Sequence, residues 1–410
     1  TGEWGDPLNY RSHGMREHVI TNARYWIDEF HFDGLRLDAT QAIIDDTSPH
    51  ILADVGLAAR AAARAKPIWI VGENEPQDAH LVAPIDHGGM GLDALWNDDF
   101  EHSARVALTG VTDGYFHDYQ GTSQELVAAI EHGFLYQGQI YSWQGHTRGT
   151  SSRGLPHSRF VHFLENHDQV ANTGFGDRLV TLADPASYRA MTALLLLGPE
   201  IPMLFQGQET GSTKPWRFFI DHDPELCKLV RRGRADFLKQ FARLATPEAQ
   251  AVLPDPSAPA TYYDCILDPR ERDLARPHVQ LHRDLLRIRR ETPCFADEAK
   301  TELRGGMLTA RAFCLRWWHD EGDRLLLVNL GITFCEAVLP QPLLAAPPEH
   351  GWRIAWSSEH PKYGGHGTPE VFTTKCLSIP ARCAVLLAPD RDASLRLDPA
   401  PASGEKELRR

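Results

Sequence analysis

Short apolar segments alternate with helical patterns through the first half of this sequence. The segments that predict strands are 34–38, 68–71, 91–96, 160–164 and 202–205. The helical patterns cover 15–30, 51–65, 123–132 and 186–197. Short apolar strands that are separated by helices are typical of a parallel sheet buried on both faces. The alternation therefore predicts an α/β fold.

Charge and hydropathy exclude two classes of partner. Lysine and arginine total 42, aspartate and glutamate total 55, and the net charge is −13. Nucleic acid and anionic membrane surfaces are bound by basic faces, so this balance argues against both. No apolar run reaches the length of about 18 residues that predicts a transmembrane helix. We therefore expect neither nucleic acid nor a membrane as a partner.

The seven cysteines are scattered between 227 and 383 and include no Cys-x-x-Cys pair. Buried free thiols in a reducing compartment fit this pattern better than a disulfide framework or a zinc site. We therefore predict a cytoplasmic protein.

Two later regions break the alternation of strands and helices. Residues 110–156 are rich in Gly, Gln, Ser, Tyr and His and predict a long loop excursion with one helix, a type of loop that is usually functional. After a helix at 278–290, several strand-like segments follow without a long helix between them, which favours an antiparallel β-sandwich. These later strand-like segments are 303–319, 324–331 and 384–388. The predicted domains are an α/β domain over 1–300, a β-sandwich over 301–390 and a polar tail over 391–410.

Acidic residues follow three of the predicted strands at their carboxyl ends. The two-residue period of a strand puts Arg36 on the same side as Asp38, where the guanidinium favours the ionised carboxylate that a nucleophile needs. Glu73 follows the apolar strand 68–71, and apolar surroundings raise the pKa of a carboxyl toward the range of a general acid. Asp168 closes the segment Phe-Leu-Glu-Asn-His-Asp after the fourth strand.

Each of these acids has a structural explanation when it is taken alone. Asp38 fits a buried ion pair, Glu73 fits a turn after an apolar strand, and 166–168 fits a turn or a set of metal ligands. Their occurrence together is different, because the carboxyl ends of parallel strands meet at one edge, and in barrels that edge carries the catalytic groups. We therefore predict that the three acids gather at one site.

The segments 33–38, 70–73 and 163–168 resemble catalytic regions two, three and four of the alpha-amylase superfamily of glycoside hydrolases. The resemblance implies a (β/α)8 TIM barrel followed by a C-terminal antiparallel β-sandwich. It also implies that Asp38 is the nucleophile and Glu73 the general acid/base. Asp168 would be the third acid, which holds sugar hydroxyls and stabilises the transition state.

Residues beside these acids are implied to bind the substrate. Arg36 and His167 match auxiliary residues of the same motifs, and Asn166 and Gln169 flank them in the fourth region. Trp4, Trp96 and Trp143, together with Tyr141, are candidates for stacking on sugar rings, although Trp96 also fits a core position. A metal pair at His31 and Asp33 is disfavoured, because these residues precede the strand and lie at the face away from the chemistry.

A longer stretch narrows the resemblance. Residues 163–172 and 175–179 look like the extended fourth region of maltooligosyltrehalose trehalohydrolases, and further segments continue the likeness over about residues 3 to 300. These further segments are 138–142, 153–156, 204–209, 219–222 and 230–234.

This narrower resemblance implies a retaining α-glycoside hydrolase that cleaves the α-1,4 bond between a maltooligosaccharide and a terminal trehalose unit. Its substrate would be a maltooligosyltrehalose or a related α-glucan, in a pathway with a maltooligosyltrehalose synthase. No metal or organic cofactor is implied. The alternatives are another α-glucan-active enzyme of the superfamily (an amylase, a debranching or a branching enzyme) and a non-catalytic glycan-binding relic.

The number of strands limits what the chain can do by itself. Only five strands of the parallel type are evident, and the resemblance places Asp38 on the fourth strand of the barrel. Strands one to three would then precede Thr1, and five parallel strands do not close an eight-stranded barrel. We therefore expect residues 1–410 alone to have weak or no activity.

Overall fold

A computed structural model describes residues 6–394 of the chain, except 338, 374 and 375. These residues form two compact units: one comprises the described residues up to Asp184 together with Leu195–Ala275, and the other comprises Pro185–Leu194 together with those from Arg276 onward. Trp4 and most of the tail 391–410 lie outside the described residues. The domain boundaries at 300 and 390 stay predictions.

The first unit is built on a parallel sheet. Its strands, including a separate hairpin, are β1 Gly34–Leu37, β2 Trp69–Gly72, β3 Ala94–Trp96, β4 Gln139–Tyr141, β5 His146–Arg148, β6 Phe160–Phe163 and β7 Ile201–Met203. The five-stranded sheet has the order β1-β2-β3-β6-β7, and every neighbouring pair is parallel. The mixed α/β architecture predicted from the alternating pattern is therefore confirmed.

The observed strands are shorter than the predicted segments. The prediction for 91–96 was wrong at its start, because Gly91 has a φ of +67° and the N–H of Leu92 donates to the Leu81 carbonyl at 3.0 Å instead of joining the ladder. The register pairs Leu37 with Gly72, so β1 and β2 end at the same level. The residues that follow the strands consequently leave the sheet at one edge.

Helices occupy most of the connections. They are α1 His13–Asp28, α2 Ile51–Ala63, α3 Asp98–Thr109, α4 Ser123–His132, α5 His167–Ala171, α6 Leu179–Leu182, α7 Pro185–Leu197, α8 Pro224–Leu238, α9 Pro247–Val252, α10 Pro259–Asp264, α11 Glu271–Leu274, α12 Arg276–Glu291, α13 Pro293–Ala296 and α14 Arg391–Ser394. Helix α3 starts where Asn97 caps it, with the Asn97 side chain accepting from the Phe100 N–H at 3.2 Å. Among the helices of the described ranges, none has the length and apolarity needed to cross a membrane.

The excursion 110–156 is more ordered than a loop. It contains α4 as predicted, but it also contains the antiparallel hairpin of β4 and β5, which sequence reasoning missed because each strand has only three residues. Tyr141 of β4 is buried in an apolar cluster with Phe116, Tyr119 and Phe241. The excursion therefore shares an apolar core with residues outside it, such as Phe241, and this core fixes the position of the hairpin.

The second unit is antiparallel. Its strands are β8 Glu302–Met307, β9 Ala312–Trp318, β10 Arg324–Asn329, β11 Phe334–Glu336, β12 Gly351–Ser357, β13 Leu377–Ile379 and β14 Cys383–Asp390. The single segment predicted over 303–319 is wrong: it is two strands, because Leu308 and Thr309 both donate to the Ala312 carbonyl and close a turn that lacks Gly and Pro.

Two sheets make up this second unit. The five-stranded sheet has the order β12-β14-β10-β9-β8, and β11 pairs with β13 in a separate two-stranded sheet. Leu325 and Leu327 of β10 share one apolar core with Leu377 and Ile379 of β13. The predicted C-terminal antiparallel sheet is thus present, and the common core is that of two sheets packed face to face.

The cysteines follow the prediction only in part. All seven are free, and four of them, at 265, 294, 314 and 383, are buried. Cys335 is exposed, and Cys227 and Cys376 are half-buried, so the expectation of buried thiols is wrong for these three. The Sγ atoms of Cys335 and Cys376 lie 2.8 Å apart, because β11 and β13 bring the two residues together.

Candidate active site

The first acid, Asp38, directly follows β1 and is held by an arginine of that strand. Arg36 Nη1 contacts Asp38 Oδ1, as the two-residue period predicts. The Asp38 side chain is 77% exposed. The carboxylate is therefore paired with a cation and at the same time open to a molecule that arrives from solvent.

The second acid, Glu73, is fixed by the backbone on both sides. Its N–H donates to the Leu37 carbonyl at 2.9 Å, which extends the β1–β2 ladder, and its carbonyl accepts from the Thr40 N–H at 3.0 Å. Its Oε2 accepts from the Ala39 N–H at 2.8 Å and lies 2.9 Å from Arg36 Nη2. Ala39 has a φ of +42°, which is uncommon for a residue with a Cβ. This turn aims the Ala39 amide at the Glu73 carboxylate.

The surroundings of Glu73 shift its titration. Burial raises the pKa of Glu73, whose side chain is 24% exposed. The Ala39 N–H and the Arg36 guanidinium oppose this rise, whereas the charges of Asp38 and Asp168 add to it. The predicted direction is therefore found, and it is the direction that a general acid requires. The charges of Asp38 and Asp168 thus both favour the protonated form of Glu73.

The third acid, Asp168, lies in the first turn of α5. Asn166 caps this helix, and its Oδ1 accepts from the N–H groups of Asp168 at 2.8 Å and Gln169 at 3.0 Å. His167 Nε2 lies 3.3 Å from Asp168 Oδ2, and about half of each side chain is exposed. Asn166 and Gln169 are buried. Helix α5 thus presents Asp168 and His167 to solvent, whereas the predicted substrate contacts of Asn166 and Gln169 stay predictions.

Trp96, at the end of β3, connects these groups. The Cζ atom of Arg36 lies 4.3 Å from the centroid of the Trp96 ring. The rings of His167 and Trp96 lie in an edge-to-face arrangement, with 6.1 Å between their centroids. A continuous series of contacts therefore runs from Asp38 through Arg36, Trp96 and His167 to Asp168, and it brings the predicted residues together at one edge of the sheet.

Trp143 lies apart from this series of contacts. It occupies the turn of the β4–β5 hairpin, its side chain is 40% exposed, and its N–H donates to Asp118 Oδ2 at 3.0 Å. The next residue, Gln144, donates to Glu75 Oε1 at 3.0 Å, so the hairpin turn lies near the carboxyl end of β2. Sugar stacking by Trp143 stays a prediction, as does any role of Trp4, which lies outside the described residues.

A second charged group, missed by sequence reasoning, surrounds Arg148 of β5. The Arg148 side chain is 1% exposed; it contacts Glu75, and its nitrogens lie 3.8 Å from Asp98 Oδ2 and 3.4 Å from Asp99 Oδ1. These four residues are referred to below as the Arg148 cluster. Asp98 follows β3 by two positions, so its place just beyond the carboxyl end of a strand is the signal that could have found it.

Metal ligation is a poor description of these residues. Within the part of the chain that the structure describes, no three His, Cys, Asp or Glu side chains are grouped to hold a metal ion. Asp33, half of the metal pair considered above, has its Oδ1 2.8 Å from Lys66 Nζ. What the site offers is two carboxylates on one guanidinium and a third acid at the same edge of the sheet, a set suited to proton transfer and nucleophilic attack.

The chain is similar in sequence to curated proteins over most of its length. The chain is 38% identical over 345 residues to a malto-oligosyltrehalose trehalohydrolase of Deinococcus radiodurans, which is 80% of this chain and 53% of the relative. It is 38% identical over 302 residues to one from Arthrobacter ramosus, which is 71% of this chain and 51% of that relative. The chain therefore spans about half the length of the curated relatives that it matches.

Structure and domain comparisons extend the similarity. A putative alpha amylase from Salmonella typhimurium superposes with a TM-score of 0.77 at 30% sequence identity, covering 95% of this chain and 62% of that chain. A family model described as a domain of unknown function, DUF3459, matches residues 301–387, which lie in the antiparallel unit.

Proposed function

We propose that this chain carries the catalytic carboxylates of a retaining α-glycoside hydrolase. The premise is its confirmed similarity to the malto-oligosyltrehalose trehalohydrolases. The bond cleaved is the α-1,4 linkage between a maltooligosaccharide and a terminal trehalose unit, and trehalose is released.

One observation supports this proposal above the others: a single guanidinium, that of Arg36, contacts both Asp38 and Glu73. Two carboxylates on one guanidinium lie close together. Retaining glycosidases hold their two carboxyl groups about 5–5.5 Å apart, whereas inverting enzymes need about 6.5–9.5 Å to admit a water. The shared cation favours the retaining arrangement.

In the first step, Glu73 acts as the acid and Asp38 as the nucleophile. Glu73 Oε2 is taken by the Ala39 N–H and Arg36, so the proton of the acid form resides on Oε1. Oε1 gives this proton to the glycosidic oxygen while Asp38 attacks C1 from the opposite face, and the C1–O bond breaks. A glycosyl ester on Asp38 and a free trehalose result.

In the second step, the same two residues hydrolyse the glycosyl ester on Asp38. Glu73, now ionised, takes a proton from a water molecule, which attacks C1 and displaces the Asp38 carboxylate. Two inversions leave the maltooligosaccharide with its original α configuration. Asp168, His167 and Trp96 line the same edge, and we assign them to binding the sugar ring at this centre.

The parallel sheet is best explained as a part of a (β/α)8 barrel. We assign β1, β2, β3, β6 and β7 to strands four to eight of such a barrel, because acids at the carboxyl ends of β1, β2 and β6 match the edge where barrel enzymes carry their catalytic groups. The free cysteines support a place in the cytoplasm, and the resemblance supports a maltooligosyltrehalose synthase as the source of the substrate.

Product analysis tests the function. The chain is incubated in molar excess over maltotriosyltrehalose, because the described sheet has five strands and slow turnover is expected. Trehalose and maltotriose in equal amounts support the proposal. Glucose or maltose from internal bonds points to an amylase-type specificity, and a substrate that stays intact overturns trehalose release by residues 1–410 without further strands.

Azide rescue tests the assignment of the two carboxylates. With α-maltosyl fluoride as substrate, Asp38→Ala leaves room for azide on the β face, so a β-maltosyl azide is expected. Glu73→Ala keeps the nucleophile, so azide meets the ester intermediate and an α-maltosyl azide is expected. The opposite pairing of product and variant would reverse the two roles.

A further inference from the structure

Two cysteines of the antiparallel unit are in contact. Strands β11 and β13 pair in antiparallel register, with Cys335 opposite Ser378. Cys376 is two positions before Ser378, so Cys335 and Cys376 are diagonal neighbours. Because side chains alternate along a strand, such neighbours lie on the same face of the sheet. Their Sγ atoms are 2.8 Å apart.

The fold holds both cysteines in place. The Cys376 N–H donates to Thr373 Oγ1 at 3.1 Å, and the Thr373 N–H donates to the Cys376 carbonyl at 3.1 Å, so a turn fixes the backbone just before β13. On the other strand, Phe334 precedes Cys335 and packs against the apolar core that contains Leu377 of β13. The two sulfurs therefore meet because the strands around them are anchored.

The spacing of these sulfurs suits a covalent bond. A disulfide has an S–S length of about 2.05 Å, so closure needs the two atoms to approach by less than about 1 Å. Buried cysteines of this chain bond to the backbone instead: Cys265 Sγ donates to the Thr261 carbonyl and Cys383 Sγ to the Pro380 carbonyl, each at 3.1 Å. The pair on β11 and β13 is thus arranged for chemistry between two sulfurs.

Water reaches this pair, because Cys335 is exposed and Cys376 is half-buried. A small dissolved molecule can therefore attack or be attacked at the sulfurs without unfolding the unit. Disulfides that form at exposed positions are the ones that reducing agents open again, and those of cytoplasmic proteins are usually transient. Contact, register and access together define a dithiol that can open and close.

We propose that Cys335 and Cys376 are a modification site, a dithiol that closes reversibly to a disulfide by exchange with the disulfide of a low-molecular-weight thiol. One cysteine, as its thiolate, attacks a sulfur of the small disulfide, whose S–S bond breaks and releases one small thiolate. The other cysteine loses its proton and attacks the protein sulfur of the mixed disulfide, which releases the second small thiolate. Solvent carries the two protons to these thiolates, so the pair loses two electrons and the small disulfide gains them.

The bond would fasten two very short strands. Strands β11 and β13 have three residues each, and the bond would join positions 41 residues apart in the sequence. A cross-link over such a distance restricts the unfolded chain and thereby stabilises the folded unit. Both cysteines belong to the antiparallel unit, so this inference does not depend on the proposed glycosidase chemistry.

Peptide mapping tests the proposal. The full chain is reduced, freed of reductant, incubated with glutathione disulfide and alkylated. Trypsin separates the two cysteines into the peptides 325–353 and 376–382, so the bond is detected as a linked pair of peptides. The linked pair should form in the wild type and should disappear in an excess of reduced glutathione. Two separate glutathione adducts, no reaction, or a link that reduced glutathione does not open would each overturn the proposal.

Cys227→Ser is the matched control. Cys227 is half-buried like Cys376, but its Sγ donates to the His222 carbonyl at 3.2 Å. The linked peptides should form in this variant as in the wild type. Removing one member of the pair should stop the reaction at the mixed disulfide, so Cys335→Ser or Cys376→Ser should retain one glutathione on the remaining cysteine. A remaining cysteine that stays unmodified in both variants contradicts the exchange.

Thermal unfolding measures the consequence of the bond. The unfolding midpoint of the antiparallel unit should rise by about 4–10 °C when the wild type is treated with glutathione disulfide. Treated Cys376→Ser should show no such rise, because it has one sulfur of the pair. A midpoint that stays the same in the treated wild type, or that rises equally in the variant, shows that no bond fastens β11 to β13.

Discussion

Two groups of charges at one edge of the sheet are built from the same parts and differ in their access to water. In one, Arg36 holds Asp38 and Glu73, and Asp38 is 77% exposed. In the other, the Arg148 cluster, the arginine is 1% exposed and Asp99 is 0% exposed, whereas Asp98 and Glu75 are partly exposed. An exposed carboxylate such as Asp38 can meet a substrate, whereas a buried pair such as Arg148 and Asp99 acts through the fold. The difference assigns chemistry to the first group and support to the second.

Asp38→Ala tests most directly whether the exposed group carries the chemistry. Loss of the nucleophile should lower the rate of trehalose release by about 10⁴-fold or more. Because the side chain is largely exposed, the free energy of unfolding should change by less than about 0.5 kcal/mol. Single-turnover assays and urea denaturation measure the two quantities. A variant that keeps its rate would remove Asp38 from the chemistry.

The converse prediction concerns Arg148→Met. Removing this buried cation leaves the fully buried Asp99 without a positive charge beside it, which should cost about 3–5 kcal/mol in the free energy of unfolding. Arg36→Met is the matched control, and it should cost less than about 1 kcal/mol because its partner Asp38 is in contact with water. Urea denaturation near pH 7 compares the variants, and equal losses would show that burial does not separate the two groups.

The two groups also differ in how far sequence predicts them. Arg36 and Asp38 are two residues apart on one strand, so a period of two is sufficient to pair them. Arg148 and Glu75 are 73 residues apart, and their contact exists only because the β4–β5 hairpin folds back onto the segment after β2. Local patterns carry the first kind of information and not the second.

The same distinction applies to the fold. The strands of the parallel sheet are apolar segments bounded by helices, and all five were predicted within a few residues. The turn at 308–311 was missed because its sequence contains no Gly or Pro. It is closed instead by hydrogen bonds to the Ala312 carbonyl. Strands β11 and β13 were missed as well, since three residues are too few to set a period.

The free energy of unfolding should depend on pH through Asp98 of the Arg148 cluster. The pKa of Asp98 is raised to about 7 in the fold, from about 3.9 in an unfolded chain. The folded state therefore binds this proton more tightly, so its stabilising effect is complete below about pH 4 and is lost as pH rises through about 7, at no more than about 1.4 kcal/mol per pH unit.

Urea denaturation at pH 4.5, 6 and 7.5 measures this dependence, with Asp98→Asn as the comparison. The fall in the free energy of unfolding over this range should be smaller in the variant, because asparagine has no proton to lose. The same slope in both proteins would mean that other groups carry the pH dependence.

The smallest expected effect comes from the contact between Arg36 and the ring of Trp96. Arg36 Cζ lies 4.3 Å from the Trp96 centroid, and a cation is held less well by the weaker face of phenylalanine than by that of tryptophan. Trp96→Phe should therefore loosen Arg36 and slow trehalose release about two- to fivefold, which corresponds to about 0.5–1 kcal/mol. Trp143→Phe is the control, because Trp143 is outside the contacts that join Arg36 to His167. If the two variants are slowed equally, the contact of the Trp96 ring with Arg36 does not set the position of that guanidinium during the reaction.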